Sequence, residues 1–117
     1  MANPNIVNVA TINGKTDVFA LTTTSANLVT ATANTVFKIN SIMVSNIDGT
    51  SAADVTIKYN DLSNERALAS TISVPADATL SVIDKNNSFY LEENQVINGL
   101  ASANSDLECV ISYEIIS

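Results

Sequence analysis

Near the end of the chain, apolar residues fall at every second position. Leu107, Cys109, Ile111, Tyr113 and Ile115 occupy one set of alternating positions, and Glu108, Ser112 and Glu114 lie in the other. A period of two sends successive side chains to opposite faces, as a β-strand does and a 3.6-residue helical repeat does not. Similar short runs recur along the chain. Val55, Ile57 and Tyr59 alternate with Thr56, Lys58 and Asn60, and Leu68, Ser70, Ile72 and Val74 share one predicted face that Pro75 ends. Further short strands are expected around Leu28 and Val29, over 80–83, over 89–91 and over 96–100. A long strand is expected from about Val36 to Ile47, apolar on both faces in places and therefore central.

Turn chemistry divides these runs. Asn13 and Gly14 separate two β-prone segments, 6–12 and 15–21, and predict a tight hairpin turn, because both central positions of a type I′ turn need positive φ. Asp48 with Gly49 predicts the next turn, and 84–88 another. The polar stretch 61–66 is expected to be a loop that can hold one helical turn capped by Asn64. The result is about eight to ten strands at the spacing of a sandwich or barrel. The fold class is all-β: a single antiparallel β-sandwich, for which a jelly roll is one suitable topology. One domain is expected over 1–117, with 1–5 as an extended N-terminal arm. A chain of this length buries roughly two-thirds of its extended surface without a disulfide or metal.

Catalytic hardware is sparse. The chain has no histidine, so the commonest general base and metal ligand near neutral pH is missing. Cys109 has no imidazole to activate it and sits in apolar register, which favours a packing role. Glu92 and Glu93 are adjacent; on a strand they would face opposite ways, which suits no shared proton. Asp84, Asn86, Asn87 and Ser88 offer oxygens without the carboxylate density or glycine of a calcium loop. Gly14, Gly49 and Gly99 are isolated, so no phosphate-cradling loop is present. The expectation is a non-enzymatic protein with no cofactor and no metal.

Charge narrows the partners. The formal net charge is −7, and Lys15, Lys38, Lys58, Arg66 and Lys85 are dispersed. Phosphate neutralisation therefore has little to work with, and neither nucleic acid nor an anionic membrane surface is expected to bind. The first residues form neither a basic nor a long apolar segment, which predicts synthesis and folding in a reducing cytoplasm.

Apolar residues at the chain ends exceed the needs of one core face. Val7 and Val9 oppose Ile6 and Ile12 in the first segment, no charged residue precedes Lys15, and Val110 and Ile116 interrupt the polar face of the last strand. Such strands either pair with each other inside the sandwich or invite pairing with another chain. Tyr90, between Phe89 and Leu91, is expected to point away from the core as a contact residue.

Several segments resemble small virion structural proteins of tailed phages, notably phages of marine cyanobacteria. They are MANPNIVNVATINGKT at 1–16, KINSIMVSN at 38–46, ISVPADATL at 72–80, FYLEE at 89–93, ASANSDLE at 101–108 and SYE at 112–114. The likeness spans essentially the whole chain and carries strand-and-turn signatures, not catalytic motifs. It implies a capsid decoration (cement) protein that binds the outer head surface and stabilises capsomer contacts. The implied partners are the major capsid protein or other virion proteins. A homo-oligomer is expected, with a trimer favoured. Location in the virion follows, with the capsid surface favoured after synthesis in the host cytoplasm. On this reading Ile6, Val7, Val9, Tyr90, Val110 and Ile116 are the candidate subunit or capsid contacts. The alternative is a tail, neck or fibre module, with Tyr90 available to a host glycan. A small hydrolase or lyase ranks last.

Overall fold

The computed structural model describes Pro4 and residues 10–117. Among the described residues nine strands follow one another: β1 (Ile12–Ala20), β2 (Ala26–Thr30), β3 (Val36–Asn46), β4 (Ala53–Asn60), β5 (Glu65–Val74), β6 (Thr79–Ile83), β7 (Phe89–Leu91), β8 (Val96–Ala101) and β9 (Leu107–Ile116). They form two antiparallel sheets. One has the order β1-β9-β3-β6, with β7 also on β3; the other has the order β2-β8-β4-β5. The chain is an all-β sandwich. Its nested pairing, β1 with β9, β2 with β8, β3 with β6 and β4 with β5, is the strand order of a jelly roll.

The core lies between the sheets. Ile39, Ile42, Val44, Cys109 and Ile111 from one side meet Val55, Ile57, Val74 and Ile97 from the other, all of them fully buried. Phe37 stacks on Tyr113 with ring centroids 5.0 Å apart, extending that core toward β1. The alternation read in β9 holds: Leu107, Cys109, Ile111 and Tyr113 are buried and face inward.

Two strands depart from simple alternation for the same reason. In β3 the register shifts between Ile39 and Ser41, so one extra residue brings Phe37, Ile39, Ile42 and Val44 to a single face. The strand is central as expected, but Met43 points outward and is 40% exposed. In β5, Thr71 takes φ 51 and the pairing with β4 shifts around Ile57. Ala69 and Val74 are buried, whereas Ile72 faces solvent at 40% exposure, so the predicted shared face of Leu68, Ser70, Ile72 and Val74 does not form.

The hairpin expected at Asn13 and Gly14 is absent. β1 runs straight through both residues, pairing Asn13 with Ile115 and Gly14 with Glu114, and neither takes positive φ. Long-range pairing with β9 overrides the local turn preference. Of the expected first strand, residues 6–9 lie outside the described residues, as does the arm at 1–5 apart from Pro4. No helical turn forms at 61–64. Instead, the Asp61 carboxylate accepts from the Ser63 and Asn64 N–H groups at 2.9 and 2.6 Å, which closes a turn before β5.

Candidate interaction surface

The residues weighed for chemistry occupy the following settings. Cys109 is fully buried, and burial pushes its thiol up to about 12. Asp84 accepts from Asn86 N–H at 2.8 Å while Asn87 Oδ1 accepts from Asp84 N–H at 2.7 Å, so these polar groups close their own loop. Glu93 accepts from Asn34 N–H, tying two turns together. Among the described residues, no group of three or more acidic or cysteine side chains converges as a metal site.

What the fold presents instead is the outer face of the five-stranded sheet. Cross-strand register sorts it into rows. Tyr90 on β7 stands opposite Lys38, which stands opposite Glu114 and then Gly14. Thr16 and Ser112 face each other with hydroxyls 3.0 Å apart. The next row is apolar: Val18, Val110 and Met43 lie side by side on β1, β9 and β3. Val18 is 73% exposed, and with Ala20, Glu108 and Val110 it lines a shallow groove of 360 Å³. Ala20, Glu108 and Ser45 form the last row, where Ser45 and Thr79 hydroxyls meet at 2.9 Å.

The predicted contact residues divide accordingly. Tyr90 is exposed and outward-facing, and Val110 is half-buried in the apolar row. Ile116 also lies on this sheet, opposite both Ile12 and Val36, but it is only 5% exposed. Ile6, Val7 and Val9 lie outside the described residues. Val18 and Met43 went unrecognised because strand order decides which residues join the row, and no local pattern encodes that order.

The rim of this face is β1 itself. Its inward side carries Asp17, whose Oδ2 accepts from the Tyr113 hydroxyl at 2.6 Å, and Lys15, 3.7 Å from the same carboxylate. Burial, and then the hydrogen bond and charge of Asp17, push the Tyr113 phenol above its ordinary range. Thr11 and Ser117 exchange backbone bonds of 3.1 and 3.0 Å, and Leu21 N–H donates to Leu107 O at 3.0 Å. Odd-numbered positions of β1 thus turn their backbone groups toward β9. Because antiparallel pairing alternates, Ile12, Gly14, Thr16, Val18 and Ala20 turn theirs away from β9, to a side where no strand pairs with β1 among the described residues.

Neither a family model nor a curated protein matches the chain. A solved structure described as "Bacillus endospore appendages form a novel family of disulfide-linked pili" shares the fold. The match has TM-score 0.52 and 14% identity, covering 91% of this chain and 87% of that one. The likeness is one of fold.

Proposed function

We propose that the chain is a non-enzymatic structural subunit acting in many copies, and that its assembly is a phage virion. There it serves as a decoration protein on the outer head surface, stabilising contacts between capsomers. The observation that carries this reading is the outer face of the five-stranded sheet. A row of apolar side chains, the exposed Val18 and Met43 with the half-buried Val110 between them, runs from the β1 edge across the sheet, where a monomeric protein gains nothing from it. The sequence likeness to phage virion proteins supplies the setting. The fold's likeness to a pilus subunit is compatible with an assembly role.

The means of association differs from the disulfide linkage named for that neighbour. Cys109 is the chain's sole cysteine and is fully buried, so copies associate without covalent links. A net charge of −7 keeps crowded copies soluble and turns them from nucleic acid and anionic membranes toward protein partners, first the major capsid protein. Tyr90, 44% exposed beside Lys38, favours the second reading, a tail, neck or fibre module with an aromatic platform for a glycan.

Quantitative mass spectrometry of purified virions separates the readings. Decoration gives a copy number on the scale of the major capsid protein. A tail or fibre module gives a small fraction of that, and its glycan reading requires a positive glycan array lost in Tyr90→Ala. Absence from the particle overturns both.

A further inference from the structure

The four sheet edges are not alike. β2 has five residues and a register shift between Asn27 and Val29; β6 has five and its pairing with β3 shifts at Ile42 and Met43, and β7, on the same side of β3, has three. β5 opens with Glu65 and Arg66 and carries two shifts and the left-handed Thr71. Short strands, charges and bulges are the usual protections against edge-to-edge association. β1 lacks them: it has nine residues paired with β9 in unbroken register, and among the described residues nothing pairs with its other side.

We infer that β1 pairs antiparallel with β1 of a second copy about a twofold axis at Thr16, joining two five-stranded sheets into one. Register selects this arrangement. Only even-numbered positions present backbone groups to the edge, so even must meet even. Centring on Thr16, the midpoint of the strand, pairs Thr16 with Thr16, Gly14 with Val18 and Ile12 with Ala20, and uses the whole edge. Lys15 of each copy then stands directly opposite Asp17 of the other, in the close non-hydrogen-bonded position. A shift of one position to either side would centre the pair on Lys15 or Asp17 and set like charges face to face.

The side chains fit the same register. Asp17 is held in place by Tyr113, and the Lys15 and Asp17 side chains are 54% and 29% exposed, so neither must be unburied to pair. A Cβ at Gly14 would meet nothing within 4 Å, which leaves room for the 73%-exposed Val18 of the second copy. An isologous contact of this kind closes at two copies, and it is the same whether the subunit coats a head or belongs to a tail.

Light scattering on the purified chain across a concentration series tests the inference, and virion localisation has no bearing on its outcome. The expected mass is that of a dimer. Thr16→Pro, which removes an outward N–H that no strand uses among the described residues, is expected to shift the mass to a single chain while leaving the circular dichroism unchanged. Lys15→Asp and Asp17→Lys are each expected to raise the dimer dissociation constant about tenfold or more. Mixed in equal amounts, they are expected to form a heterodimer tighter than either homodimer, because the mixture restores both opposite-charge pairs. A monomer at all concentrations, a trimer, or a dimer insensitive to Thr16→Pro and without that charge-swap preference overturns the inference.

Discussion

Tyr113 on the last strand donates its hydroxyl to Asp17 on the first, O to O 2.6 Å, and so links the edge strand to its neighbour through side chains as well as backbone. The ring stacks on Phe37 of β3, so one residue ties three adjacent strands together.

This link sets an alkaline limit on stability. The folded phenol titrates above its unfolded value of about 10, so above that pH the folded chain holds more protons than the unfolded chain. Stability is unaffected below that value and falls as pH rises through it. Tyr59, whose phenol is also raised by burial and then by the charges of Glu92 and Asp61, adds to the same slope. Tyr113→Phe is expected to cost about 1 kcal/mol at neutral pH and to flatten the alkaline loss, as read from urea midpoints across the pH range.

Gly99 on β8 sits where two side chains and a backbone carbonyl, from the flanking strands β2 and β4, crowd together. A Cβ there would lie 2.8 Å from Ile57 Cδ1, 3.1 Å from Leu28 Cδ1 and 3.4 Å from the Thr56 carbonyl. Ile57 is fully buried and has little room to retreat. Gly99→Ala is expected to destabilise by about 1–3 kcal/mol in denaturant unfolding.

Asn46 closes the end of β3 from inside. It is 3% exposed, and its Nδ2 donates to the carbonyls of Ser51 and Val74 at 2.9 Å each while its Oδ1 accepts from Asp48 N–H at 2.9 Å. Asn46→Ala leaves the Val74 carbonyl without this donor in a buried setting. The expected loss is about 1–3 kcal/mol, with hydrogen exchange fastest over 46–51.

Cys109 is expected to resist alkylation in the native state and to react promptly in urea. With its thiol pushed up to about 12 and its side chain fully buried, it offers neither thiolate nor access. Non-reducing electrophoresis of the native assembly is expected to show single chains.

The parts of the fold legible in the sequence were those governed by local alternation. β9 and β4 follow from period-two patterning, the short strands β2, β6, β7 and β8 from brief apolar runs between turn residues, and Tyr90 faces outward because both neighbours are apolar. Bulges escaped that reading: Asn40 and Thr71 each shift the face by one residue, and neither carries a glycine to announce it. The Asn13 and Gly14 pair misled because turn preference is weak beside pairing along a whole strand. The apolar row of Val18, Val110 and Met43, and the facing of Asp17 to Tyr113, exist only once β1 and β3 flank β9. That neighbourhood joins residues from opposite ends of the chain, and no local signal specifies it.

Immunogold electron microscopy of purified virions, using antibody against this chain, addresses the proposed role most directly. Gold distributed over the heads is the predicted result. Particles that carry no gold, while the same antibody detects the chain in infected-cell lysate, would contradict a structural role in the virion.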